Sequence, residues 1–230
     1  MKAGPFISML AGVFSVEEKT VFTFHRFLRE GGLITTGARG VNAPDMTPLD
    51  AARMVIALLA CDTPKQGVER VPRFGQLRPK TFGDSCAWRE SFTPDEFASL
   101  FPGAETLEEV LVFIFSRYLD QDSEDASRWF GENVFSLTIR PGDLWAELVQ
   151  WVYDDPGEAG KIIRERVISF RGDRFDPEYP HIPRGLLVER TAAPINLSAV
   201  ALHLWADTQS VEEGVAALLA PFARERADGH

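Results

Sequence analysis

The sequence predicts an α+β fold, and three observations predict it. Residues 15–61 carry two apolar stripes of helical period, separated by a Gly-Gly stop and a short hairpin pattern. Residues 134–170 contain runs in which apolar and polar residues alternate, the period of a half-buried strand. Residues 197–222 return to helical period. The expected layout is a small helical head, a mixed domain with a small antiparallel sheet, and C-terminal helices.

The head begins with an apolar segment, Pro5 to Phe14, which supplies a short helix. Ser15, with Glu18 three residues on, has the spacing of a capping box and predicts the start of a second helix. Val21, Phe24 and Leu28 fall at i, i+3 and i+7, and Phe27 widens that apolar face. Lys19, Thr23 and Arg26 lie on another face. Gly31-Gly32 ends the helix, because glycine enters a left-handed cap without a Cβ clash. Leu33-Ile34 predicts an extended strand, Gly37-Ala38-Arg39-Gly40 a tip, and Val41 to Met46 a returning strand. Thr47 as N-cap and Pro48 at the first helical position start a third helix, with Leu49, Ala52, Ile56 and Leu59 as its apolar set. Helix, hairpin and helix on one small core is the layout of a winged helix-turn-helix.

The run TVFTFHRFLREGGLITTGARGVNAPDMTPLDAARMVIALL resembles the DNA-binding head of mercury-resistance-type (MerR-like) and excisionase-like regulators, and similar heads in prophage-type proteins. In those regulators a recognition helix ends on a glycine–leucine–isoleucine step, and a wing and a threonine-started helix follow. The resemblance covers about the first 60 residues. It departs from the family early in the recognition helix, where the usual aromatic pair and arginine are unmatched, and in the wing, which keeps Arg39 alone. It implies double-stranded DNA as partner, with Lys19, Thr20, Thr23 and Arg26 facing the major groove and Arg39 reaching phosphate or minor groove.

Asp62 to Lys80 holds three prolines and two glycines, which disfavour helix, together with Lys65, Arg70, Arg73, Arg78 and Lys80. It divides the chain into a head over residues 1–62, a basic linker over 63–80 and an acidic α+β body over 81–230, the last a self-association or effector domain. Within the body, Thr93-Pro94 starts a short helix. Thr106 starts a stronger one with Leu107, Val110, Leu111, Ile114 and Tyr118 at helical spacing, and Ser123 a third. Val134 to Arg140 alternates as a strand, and Pro141-Gly142-Asp143 is a turn. Leu144 to Tyr153 fits either period; it is read as a strand because Ile162 to Phe170 is another and the three would form a meander. Arg171 to Gly185 reads as loop and Leu186 to Arg190 as a fourth strand. Leu197, Val200, Ala201, Leu204 and Trp205 mark a helix, and Ser210 caps a last one whose stripe of Val215, Leu218 and Phe222 is the candidate dimer surface.

Charge and composition bound the function. The net charge is −10, yet residues 1–80 carry 11 Lys and Arg against seven Asp and Glu, while residues 81–230 carry 13 against 27. A basic head on an acidic body is the asymmetry expected if only the head meets DNA. No run approaches 18 apolar residues and no secretory segment is present, so no membrane span or export is expected. Cys61 and Cys86, without a CxxC, suit a reduced cytoplasmic setting. Asp120, Asp122 and Glu124 begin like a calcium loop, but the sixth and twelfth positions, Asp125 and Gly131, break it. The four histidines lack metal-site spacing, and phosphate-loop and dinucleotide fingerprints are absent. The expectation is therefore a cytoplasmic, sequence-specific DNA-binding protein: a homodimeric transcription regulator of prophage type, with no cofactor, metal or catalytic residue. The alternative is a phage packaging or assembly protein similar to a small terminase subunit, gripping DNA by the same head.

Overall fold

The computed structural model describes residues 1–37, 43–80, 89–120, 123–153, 162–172 and 189–205. Arg39, Cys86, residues 173–188 and the helix expected from Ser210 lie outside the described residues, as do the side chains of Tyr118 and Trp205. The architecture is mixed: helices α1 (Ala3–Phe14), α2 (Glu18–Glu30), α3 (Pro48–Ala60), α4 (Gly67–Gly75), α5 (Pro94–Leu100), α6 (Leu107–Asp120), α7 (Ser123–Glu132) and α8 (Pro194–Trp205) accompany one small sheet. Its strands are β1 (Arg78–Lys80), β2 (Arg89–Ser91), β3 (Val134–Arg140), β4 (Trp145–Tyr153), β5 (Ile162–Arg171) and β6 (Arg190–Ala192).

The expected meander is present. β3, β4 and β5 pair antiparallel in sequence, and β6 adds to the outer edge of β3 at Leu137↔Ala192. The free edge of β5 is shared by two short strands. Antiparallel β1 takes Ser169 to Arg171, and parallel β2 takes Glu165 to Val167. Strand alternation separates the faces. Phe135, Leu137, Ile139, Ala146, Leu148, Ile168 and Phe170 share the face that joins the main core, and α3 and α8 pack there against β3. Trp145, Val149 and Val167 are buried on the opposite face, outside that core. α6 packs between α3 and α8, and α1, α2 and α4 form the next helical layer.

Four local readings change. Ser15 does not start α2. It ends α1 in the left-handed region (φ 52°), with the Val16 N–H donating back to the Ala11 carbonyl, and Glu17 is the N-cap of α2. Residues 62–80 form helix where their prolines and glycines were expected to disfavour it: a 3-10 turn at Pro64–Gln66 leads into α4, despite Pro72 inside that helix. An interior proline costs about 3 kcal/mol. Val71 and Phe74 are wholly buried, and each contributes roughly 1.5–3 kcal/mol, which offsets it. The wing is not a β-hairpin among the described residues, for Leu33–Gly37 and Ala43–Met46 contain no strand. A strand at Arg190–Ala192 runs two residues past the expected end at Arg190, while residues 186–188 of the expected strand lie outside the described residues.

The two arms of that loop still meet: a Cβ on Gly37 would lie 2.8 Å from Pro44 Cδ. Their backbone groups bond elsewhere. Thr35 N donates to Asp50 Oδ1 (2.7 Å), the Leu33 carbonyl accepts from Arg53 Nη1 (2.8 Å), and Met46 N donates to the Met1 carbonyl (2.7 Å). Lys2 Nζ donates to the Ala43 carbonyl. α3 and the chain start thus hold the loop where a strand ladder was expected.

Candidate nucleic-acid interface

α2 builds the candidate surface. Val21, Phe24, His25 and Leu28 are buried against the neighbouring helices, so the opposite side of the helix faces outward. The end of α2 is fixed as expected: Gly32 takes φ +74° and the Leu33 N–H closes back on the Leu28 carbonyl. α1 ends at the left-handed Ser15 and packs against α2, which follows it directly in the chain.

Lys19 and Arg26 are exposed on α2, and Thr23 is half-buried between them. Seven residues of helix separate the two cations by about 10 Å along the axis. That length matches about three base steps at 3.4 Å each. Thr23 Oγ1 donates to the Lys19 carbonyl (2.7 Å), which leaves its lone pairs outward as an acceptor. Arg26 lies over the Phe27 ring (5.3 Å) and 3.8 Å from Glu30. Thr20 is half-buried on the flank, away from the centre of this row. Arg39 lies outside the described residues. Glu17 and Glu18 stand at the helix N-terminus, where the backbone dipole favours acids, and Glu30 at the other end, so the cations hold the middle.

Sequence reasoning missed the residues that support this surface. Asp50 is buried; its carboxylate accepts from Thr35 N, Thr47 N (2.8 Å) and Thr47 Oγ1 (2.9 Å), which caps α3 and holds the loop after α2. The capping pattern Thr47–Asp50 was available as a signal; the bond to Thr35 was not. His25 is buried on α2 with Nε2 unpartnered among the described residues. Burial, helped by the Arg29 charge, lowers its pKa, against the pull of Asp50. Arg53 joins this region to α6 through a two-point contact with Glu108 (2.8 and 3.3 Å).

Other regions offer less. A cavity of about 40 Å³ between α6, α7, β3 and α8 is lined by Ile114, Phe130, Asn133, Phe135, Leu197 and Ser198, room for a few waters only. On the core face of the sheet a polar chain runs Glu96–Arg166–Gln150–Asn133, each member bonded to the next. No group of three His, Cys, Asp or Glu among the described residues is placed to hold a metal, and no described helix is long and apolar enough to cross a membrane. In comparison with known proteins, the chain matches no family model, no curated sequence and no solved structure.

Proposed function

We propose that the chain is a sequence-specific DNA-binding protein, a transcription regulator of prophage type, that lays α2 in the major groove of double-stranded DNA. The observation that carries this reading is the row Lys19, Thr23 and Arg26 on the outward side of α2; the reading takes α1 and α2 as the two helices of a helix-turn-helix. A helix fits that groove, and a cation–hydroxyl–cation row of about 10 Å offers donors to guanine edges or phosphates at both ends. The acidic balance of residues 81–230 opposes non-specific coating of DNA, which leaves binding to the head. A single head covers one half-site, so the working form is a homodimer.

The test is a fluorescence-anisotropy titration of the intact protein on a 30-base-pair duplex from its own upstream region. Two phosphate contacts, from Lys19 and Arg26, predict a loss of roughly 12-fold in affinity between 50 and 200 mM salt. The double substitution Lys19→Ala, Arg26→Ala should weaken binding at 50 mM salt and flatten the salt slope of the binding that remains. A flat salt response in the wild type, or undiminished binding by the variant, rejects the reading. Mass in solution separates the two DNA-binding roles: a dimer supports regulation, whereas a ring-sized oligomer moves the assignment to phage packaging.

A further inference from the structure

Phe22 is 52% exposed, the one phenylalanine among the described residues left open to solvent as a large apolar group. It stands on the outward side of α2. Helical spacing places Lys19 three residues before it, Arg26 four residues after and Arg29 seven after, so three cations and one ring share this surface. Glu18, four residues before it, is the acid at the helix start. Arg26 does not cover the ring, since its guanidinium is over Phe27 and turned toward Glu30. Phe22 falls about 4.5 Å along the axis from Lys19 and about 6 Å from Arg26, between the two cations.

The surroundings decide what such a ring can meet. An apolar protein surface would cover the ring but strip water from Lys19, Arg29 and the Arg26–Glu30 pair without supplying partners, which is costly. The DNA major groove offers both kinds of partner at once: phosphates for the cations, and the 5-methyl of thymine as its apolar feature. We infer that Phe22 is a specificity residue that packs on a thymine methyl in the major groove. This inference rests on the DNA-binding reading above and adds a base preference to it.

The experiment compares the intact protein on two 24-base-pair duplexes, one of alternating dA–dT and one of alternating dA–dU, which differ only in the methyl group. One buried methyl predicts about fourfold tighter binding to the dT duplex. Phe22→Ala should lose that preference, its ratio of affinities falling to about one; a thermal melt confirms that the variant is folded. Equal affinity of the wild type for the two duplexes overturns the inference while leaving DNA binding standing. So does a Phe22→Ala protein that keeps the preference. A variant that turns from dimer to monomer with the preference intact assigns the ring to self-association and likewise overturns it. Failure of the wild type to bind either duplex at 50 mM salt overturns the inference, and failure to bind its own upstream duplex as well removes the DNA-binding reading with it.

Discussion

His25 shows what burial does to a single residue near the candidate surface. Its pKa lies below the ordinary value near 6.5 because burial and then Arg29 disfavour the imidazolium, Asp50 across on α3 opposing them. An unfolded chain regains the ordinary value, so it binds the proton more readily than the folded one. The resulting stability is complete above about pH 6.5 and is lost as pH falls through the folded value. His203, lowered by burial, acts in the same direction. Glu96 and Glu109, lowered by hydrogen bonds to their carboxylates, act below about pH 4.5 and outside this window. Urea midpoints at pH 7.5 and 5.5 should therefore differ for the wild type, with the acid value lower. The difference should shrink in His25→Leu, leaving the share of His203. An unchanged difference in that variant would show that His25 does not titrate as its burial requires.

At the scale of elements, capping patterns were the most legible signals. Thr47, Thr93 and Thr106 each accept a bond from a backbone N–H three residues on, while the acid at that position accepts from the threonine N–H. Ser15 has the same spacing to Glu18 and failed, because α1 needed a left-handed residue at its end and the serine was consumed there. Asp50 combines a cap with a distant tether: it serves Thr47 and also Thr35, fifteen residues back in the chain. Asp50→Ala should leave two part-buried N–H groups, of Thr35 and Thr47, without their acceptor and cost about 1–3 kcal/mol. Chemical denaturation checks this, and a loss under about 1 kcal/mol would mean that the loop finds other acceptors. Among the described residues the expected hairpin has no strand, for the same reason that Asp50 matters. Pro44 brings no N–H to a ladder, and the groups around it are already bonded to α3 and to residues 1–2.

At the scale of the whole molecule, α3 is the central fact. Ala51, Ala52, Met54, Val55, Ile56, Ala57, Leu59 and Ala60 are all buried, which covers every side of the helix. α2 and α4 occupy part of its surface, and α6, α8, β3 and β6 pack on the remainder. Arg53 and Glu108 cross that contact, and Arg190 donates to the Leu59 carbonyl (3.1 Å) and pairs with Asp62 at the end of α3. A fragment of residues 1–62 would expose the side of α3 that α6 and the sheet cover. The expected result is one cooperative thermal transition for the intact chain and none for the fragment. A fragment that melts cooperatively would show that the head carries a sufficient core of its own.

The sequence by itself determined what is decided within a few residues. It placed β3 through alternation and β4, whose period is ambiguous, through the meander that β3 and β5 imply, and it placed the starts of α3, α5 and α6 through their caps, the glycine end of α2, and the outward row of Lys19, Thr23 and Arg26 opposite Val21, Phe24 and Leu28. Tertiary structure alone decided the rest. α4 forms around Pro72 because Val71 and Phe74 have a core to enter. β1 and β2 exist because β5 has an edge to share, and Arg190 meets Asp62 across 128 residues of chain. Three-residue strands such as β1 and β2 carry too little pattern to declare themselves. A backbone group in a loop bonds to whichever acceptor or donor the packed neighbours bring within reach. Local preferences set what each segment can become, and the burial available in the assembled core selects among those possibilities.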